Sequence, residues 1–367
     1  SQPRRSRMSL RDRLLAALVG TGALSLMFAM WTGLFRAGLD LPQLQDHHPL
    51  AHGPLMICGF LGTVIGLEKA RGLDVWWGYL APAASAFGAL SLIVSTDPRP
   101  ARVAFVVAGV GLTVVSAVLA RRHFDPPVLL LVAGSLAWTL GNFAWMRDMA
   151  IPQIVSWWLA FPILIIVGER LELTRVLPRS RAALGELWAE LALYAVGLSL
   201  LFWRLDPSFR VQGAALLLIA VWLLRHDLAR RTVRTGGVHR YTAVCLLAGF
   251  FWLAVGGALM LLWGAALTPL RYDTMLHALL LGFVFGMIFG HVPIIAPMLL
   301  GRHLAFDRSL YAPFVLLQAS LLFRLASSIA GWVPGRTWGS VLNVAAVVLF
   351  LVTAVRAFRR GRKIAPS

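Results

Sequence analysis

The sequence predicts an all-α protein that crosses a membrane about twelve times, and two features carry this prediction. Of its 367 residues, 59% are hydrophobic and only 14% are charged, and the mean hydropathy is +0.75. Many segments are apolar over about 18 residues or more, which is the length that a helix needs to cross the hydrocarbon layer of a bilayer. Because short connections join these segments, we expect one transmembrane domain over residues 1–367.

The predicted spans follow one another along the whole chain. Span 1 comes after a run of arginines that resembles the start of a signal peptide, but its apolar segment is too long for a cleaved signal, so we expect a retained anchor. Tryptophans that flank several later spans are typical of an interfacial aromatic belt. The twelve spans cover residues 14–36, 51–68, 75–95, 102–120, 128–146, 151–169, 186–203, 209–224, 241–264, 273–295, 309–330 and 338–355.

The distribution of positive charge predicts the orientation of the chain. The net charge is +18, yet the basic residues do not form one patch: 25 of the 34 fall in the two termini and alternate loops, eight fall in the opposite loops, and Arg324 lies within span 11. Such asymmetry sets membrane topology rather than nucleic-acid binding. It predicts a bacterial inner-membrane protein with a cytoplasmic N-terminus (1–13) and a cytoplasmic tail (356–367).

Two histidines stand near the start of long apolar spans. His52 lies in the segment Ala51-His52-Gly53-Pro54-Leu55-Met56 of span 2, and His277 follows Met275-Leu276 in span 10. Both spans run inward in the predicted topology, so both imidazoles are expected about one turn below the outer face. A histidine at this depth needs a partner inside the bundle. Two at matched depth suggest axial ligands of one flat cofactor, although interfacial histidines without a cofactor remain the alternative.

The two segments resemble the low-spin heme helices of the heme–copper oxidase catalytic subunit. In that family an Ala/Ser-His-Gly-x-x-Met segment supplies one axial ligand, and the second histidine of a His-x-His pair supplies the other. The resemblance implies an oxidase-like twelve-helix bundle with a b-type heme whose axial ligands are His52 and His277. Met56, the last residue of the first motif, is a further candidate for binding the heme. The sequence is also similar to the NnrS-type membrane proteins linked to nitric-oxide stress. No Cys-x-x-Cys-His segment occurs, so covalent attachment of heme is not expected.

The chain departs from the oxidases where oxygen would be reduced. The position of the high-spin heme ligand is Met275, and spans 6 and 7 contain none of the histidines that bind copper in that family. We therefore expect no oxygen reduction. Two axial imidazoles saturate the iron, which suits electron transfer rather than gas binding.

Two arginines are candidates for neutralising heme propionates. Arg324 is a charge within span 11 near the predicted depth of the histidines, where a buried cation needs an anion. Arg336 lies in the predicted outer loop Val333-Pro334-Gly335-Arg336, which resembles the arginine segment that holds propionates in oxidases. The alternative for Arg324 is that its side chain extends to the membrane surface.

Each of three further histidines has more than one interpretation. His47 and His48 precede span 2 in the predicted outer loop, and with His52 they suit copper, or else they are a solvated polar loop. His291 lies fourteen residues after His277, about 21 Å along an α-helix. It is too far away for the same iron and would bind a second heme, relay protons or satisfy carbonyls near Pro293.

The expected function is therefore a heme-binding membrane protein that serves electron transfer or a response to nitric-oxide or redox stress. Its expected partners are membrane lipid, a redox carrier protein or quinone, and partner subunits. If it is an enzyme, it is a membrane oxidoreductase. The alternatives are a twelve-helix secondary transporter, which usually has broken helices in corresponding halves, and a copper-handling protein.

Overall fold

The twelve predicted spans are present as helices. The computed structural model describes residues 10–43, 45–122, 125–176, 180–265, 268–300 and 304–361, which are mostly helical and contain no β-strand. Twelve helices in these ranges have the length and apolar composition to cross a membrane, and all lie within about five residues of the predicted bounds, so the predicted number is confirmed. In chain order, α1 to α12 are Arg13–Arg36, His48–Leu73, Trp76–Val94, Arg99–Arg122, Pro126–Met146, Ile151–Leu173, Arg181–Leu200, Leu205–His226, Gly237–Trp263, Pro269–Ile295, Arg308–Ile329 and Val333–Arg360.

Several helices begin earlier than predicted because polar and proline residues start them outside the apolar segment. The side chain of Ser180 accepts a hydrogen bond from Ala183 N at 3.1 Å before α7. Thr268 caps α10 in the same way, accepting from Arg271 N at 3.3 Å. The predicted loop that ends at Arg336 is in fact the first turn of α12, where proline is well tolerated because its missing N–H has no helical partner.

The helices are distributed over two compact units, Ser1–Phe161 and Pro162–Ser367. The boundary falls within α6, so its first part belongs to the first unit and the remainder to the second. A single domain over residues 1–367 stays a prediction. Residues 1–9 and 362–367 of the two predicted cytoplasmic termini lie outside the described residues.

In the first unit, α1 packs against α2 and α3, and α4 packs against α3 and α5. Its core contains stacked aromatic rings: the indole of Trp138 and the phenyl ring of Phe161 lie with their centroids 4.6 Å apart. Gly62 makes room for this stack, because a Cβ at that position would lie 2.6 Å from Trp138. The core therefore depends on a small residue at the point where α2 and α5 meet.

In the second unit, α8 lies between α7 and α9, α9 packs against α10, and α11 packs against α12 and α10. Gly213 and Gly257 bring the backbones of α8 and α9 together. A Cβ on Gly257 would lie 2.7 Å from Leu217 N and 2.8 Å from Gly213 O. Small residues commonly allow such close approach between membrane helices.

Two helices, α2 and α10, change from α to π geometry along their length. In α2 an α-helical turn at His48–Pro54 is followed by a π segment at Leu55–Leu61, and in α10 the α segment Pro269–His277 is followed by a π segment at Ala278–Phe285. The rest of the described chain has no other π-helix. Well under 1% of residues in proteins adopt this conformation.

Candidate functional site

The imidazole of His52 is held against α1. Its Nδ1 lies 2.7 Å from the carbonyl oxygen of Ala29, and because a carbonyl only accepts, Nδ1 carries the proton of the neutral ring. The lone pair is then on Nε2, the nitrogen that would bind a metal. Gly33 lies under the ring, where a Cβ would come within 2.7 Å of both Nδ1 and Cε1. The position of the ring therefore depends on the absence of a side chain at residue 33.

The π segment of α2 begins three residues after His52 and is supported by hydroxyl groups. Each carbonyl oxygen has two lone pairs, and three carbonyls of this segment accept an additional hydrogen bond from a fully buried side chain. These bonds run from Ser25 Oγ to Leu55 O at 2.9 Å, from Ser85 Oγ to Cys58 O at 2.5 Å and from Thr63 Oγ1 to Gly59 O at 2.6 Å. Because two of the hydroxyls come from α1 and α3, the neighbouring helices fix the segment.

In the second unit, His277 lies next to the ion pair between Asp273 and Arg324. Its Nδ1 lies 2.7 Å from the backbone oxygen of Asp273 and 3.4 Å from Oδ1 of the same residue. Arg324 binds that carboxylate through two bonds, Nη2 to Oδ1 at 2.7 Å and Nε to Oδ2 at 3.1 Å. Arg324 is 7% exposed, and its counter-ion is Asp273 on α10. The anion that sequence analysis sought in a heme propionate is supplied by Asp273.

The π segment of α10 begins at the residue directly after His277. It packs closely on α9, where a Cβ on Gly282 would lie 2.3 Å from Trp252 and one on Gly256 would lie 2.3 Å from Leu279. Met275, at the position of the high-spin ligand in oxidases, is fully buried. In each unit, then, a candidate ligand histidine is followed within three residues by a π-helix.

The structure gives the distance of each histidine from the start of its helix, and their matched depth in the membrane stays a prediction. Since α2 and α10 begin at His48 and Pro269, His52 and His277 lie about 6 Å and about 12 Å from the first residue of their helices. The difference arises because the Thr268 cap extends α10 by more than one turn beyond its apolar segment.

His47 and His48 do not lie in a free loop, contrary to the sequence-based expectation. His48 begins α2 and is fully buried, and His47 is its N-cap residue. Their Nε2 atoms bind the last carbonyls of α3, Leu92 O and Ile93 O, each at 3.0 Å. The carbonyls at a helix C-terminus lack helical partners, and histidine can satisfy them. A copper ion would have to displace these bonds.

The remaining candidates are spread over both units. Met56 follows His52 by one turn and is part of the π segment, and Arg336 is half-buried in the first turn of α12. His291 is buried, with Nδ1 2.8 Å from Met287 O, while its Nε2 has no hydrogen-bond partner. Among the residues that the structure describes, no group of three or more histidine, cysteine, aspartate or glutamate side chains is arranged to hold a metal ion.

Asp273, Gly33 and the three hydroxyl residues that bind the π segment of α2 were not predicted from the sequence. Asp273 had a readable signal, since it lies four residues before His277 and such pairs share a helix face. Gly33 and Ser85 had none, because their partners are more than eighteen residues away in the sequence.

Comparison with known protein families gives one match, over residues 13–359, to the family model described as a domain of unknown function, DUF8744. No curated protein matches the sequence. Because the match begins at the first residue of α1 and ends at the penultimate residue of α12, it includes all the membrane-length helices of the described chain. The chain therefore belongs to the DUF8744 family.

Proposed function

We propose that the protein is a membrane-bound b-type cytochrome in which His52 and His277 are the axial ligands of one heme b. The observation that carries this proposal is the shared local structure of the two histidines: the Nδ1 of each bonds a backbone oxygen, and each is followed within three residues by a π-helix. π turns are rare and occur often at functional sites.

The hydrogen bonds of the two rings fit this role. Ligand histidines almost always donate the other ring N–H to a carbonyl or carboxylate, which fixes the tautomer. Nδ1 of His52 and of His277 meets that requirement. The same bond is made by His291 and by His226, whose Nδ1 lies 3.1 Å from Trp222 O, so the bond alone does not single out a ligand. The π segment does, because neither His291 nor His226 is followed by one.

The chemistry of the site follows from its donors. Bound between two imidazoles, the heme supplies a low-spin, six-coordinate iron that passes single electrons and has no open position for oxygen or carbon monoxide. The protein orients the rings and keeps each Nδ1 protonated. Arg324 and Arg336 stay the candidates for the propionates, and Arg324 is also bound to Asp273.

In the cell, this protein would transfer electrons in respiration or in a nitric-oxide or redox stress response, as in the NnrS-type proteins that it resembles. Its donor or acceptor would be a small redox protein or a quinone in the surrounding lipid. The excess of basic residues in the termini and alternate loops supports cytoplasmic termini in a bacterial inner membrane. A reporter fused after Ser367 and found active on the outer side would contradict this topology.

The spectrum of the purified protein tests the heme directly. We expect sharp α and β bands in the dithionite-reduced minus oxidised spectrum, and no change on adding carbon monoxide. His52→Ala and His277→Ala should each abolish these bands or open the iron to carbon monoxide, while His239→Ala, an exposed histidine at the start of α9, should leave them unchanged. If both ligand variants keep the wild-type spectrum, the assignment is wrong.

A second pair of variants tests the positioning of His52 without removing it. Gly33→Ala would force the ring to move, because the new Cβ would lie 2.7 Å from it. We expect loss or broadening of the heme bands. The matched control is Gly20→Ala, also on α1, where an added Cβ would meet no atom within 4 Å. Equal spectra for the two variants would argue against His52 as a ligand.

The main alternative is a secondary transporter, which the two compact units favour. Transporters of this kind carry their broken helices at corresponding positions of the two halves. Here the π segments fall in the second complete helix of the first unit and in the fourth complete helix of the second. This lack of correspondence favours the cytochrome.

A further inference from the structure

The carboxylate of Asp273 is shared between a histidine and an arginine. Its Oδ1 lies 3.4 Å from Nδ1 of His277 and 2.7 Å from Nη2 of Arg324. The backbone oxygen of Asp273 accepts from the same Nδ1 at 2.7 Å. One residue thus presents both a peptide oxygen and a charged oxygen to the nitrogen of His277 that would face away from iron.

Arg324 fixes this carboxylate rather than merely neutralising it. The guanidinium uses two donors on two oxygens, and such paired bonds hold the orientation as well as the charge. Arg324 is itself confined by α12, because a Cβ on Gly339 would lie 2.7 Å from Arg324 Cβ and 2.8 Å from its Cα. Both side chains are largely buried, at 8% and 16% exposure, so water screens the pair weakly.

We propose that Asp273 is a positioning residue for His277 and that the Asp273–Arg324 ion pair sets the reduction potential of the heme. This inference rests on the proposed function. A negative charge beside Nδ1–H makes the imidazole a stronger donor and favours oxidised iron, whereas the guanidinium draws on the same carboxylate and favours reduced iron. The two members of the pair therefore act in opposite directions.

The opposite signs give the test, which is a redox titration of the purified heme-loaded protein. Asp273→Asn should raise the midpoint potential and Arg324→Gln should lower it. We expect each shift to correspond to about a tenfold change in the ratio of oxidised to reduced heme, which is 59 mV for a one-electron couple. A general loosening of the site would move both variants in the same direction.

The chain offers a matched control pair. Asp206 and Arg210 form an ion pair at 2.8 Å in the same unit, but their side chains are 49% and 45% exposed. Asp206→Asn and Arg210→Gln should shift the midpoint potential of the heme far less than the Asp273 and Arg324 variants do. If Asp273→Asn fails to fold, Asp273→Glu keeps the charge and moves it by one carbon. That variant should bind heme at a shifted potential.

Three results would overturn the inference: unchanged potentials in both variants, shifts of the same sign, or an Asp273→Glu protein with the wild-type potential. Loss of heme from Asp273→Asn in a protein that elutes as wild type on size exclusion would support the positioning role. Failure of the proposed function is distinguishable, because the wild-type protein would then show no heme bands at all.

Discussion

The buried ion pair between Arg170 and Asp227 should be among the most sensitive points of the second unit. Arg170 binds the carboxylate through Nε and Nη2, both at 2.8 Å, and Asp227 Oδ1 also accepts from Ala229 N at 2.7 Å. The two side chains are only 6% and 0% exposed. Asp227→Asn preserves shape and the bond from Ala229 N but leaves the guanidinium buried without a counter-charge. Breaking a buried pair in this way costs about 3–5 kcal/mol of unfolding free energy.

Asp206→Asn is the matched control for this prediction. Asp206 also accepts from an arginine, at 2.8 Å, and from a backbone N–H, that of Ala265 at 2.9 Å, but its pair is about half exposed. Exposed pairs contribute about 0–1 kcal/mol. Unfolding of the purified protein in mixed micelles by increasing denaturing detergent would measure both. If the losses of unfolding free energy in the two variants differ by less than about 1 kcal/mol, burial does not make the Arg170–Asp227 pair more important for stability than the exposed pair.

Three further predictions concern a buried hydrogen bond, the packing of two helices and the reactivity of buried thiols. Ser85→Ala removes the hydroxyl bond to Cys58 O and should lower the unfolding free energy by about 0.6 kcal/mol, the average for side-chain bonds between membrane helices, and by no more than about 1.7 kcal/mol, in the same detergent titration. Gly257→Ala should reduce the yield of folded protein, because the new Cβ would meet backbone atoms that cannot move aside, whereas Gly185→Ala meets nothing within 4 Å and should express normally. Cys58 and Cys245 are both free and buried, so neither should react with a maleimide until the protein is unfolded, and mass spectrometry of labelled native protein would show otherwise if this is wrong.

The sequence predicts the helices well because their signal is local. An apolar segment of membrane length is visible in a window of about 20 residues, and all twelve spans were found in this way. The helix ends were less accurate, since caps such as Ser180 and Thr268 extend the helix into polar sequence that a hydropathy window discards. Arg336 was placed in a loop because the first turn of α12, which contains Pro334, lies outside the apolar segment.

The charge pairs could not be predicted to the same degree, because each joins distant parts of the chain. Arg324 was recognised as a buried cation in need of an anion, but Asp273 lies 51 residues away, and no local pattern connects them. Arg170 and Asp227 are 57 residues apart, which explains why that pair was missed too. A close reading of the i,i+4 neighbours of His277 would have found Asp273 on the same helix face.

The π segments limit what a helical periodicity can say about α2 and α10. Both lie in wholly apolar sequence, so their extra residue per turn leaves no mark on the hydrophobic pattern. Residues before and after a π segment are affected differently. Residues before the π segment, such as His277, keep a regular α-helical register with the start of α10. His291 follows eight residues of π-helix, so the distance of about 21 Å that a regular α-helix gives does not apply to it. The two ligand candidates lie on the reliable side of each interruption.

The support given to the π segment of α2 argues that it has a use. π turns within α-helices are rare and are found often at functional sites. In α2, buried hydroxyls on α1 and α3 bind the carbonyls of Leu55 and Cys58, so three helices carry residues suited to this one irregular turn. A regular α-helix would need none of these bonds. The simplest reason to keep the π turn is the histidine that comes three residues before it, whose ring α1 also holds through Ala29 O.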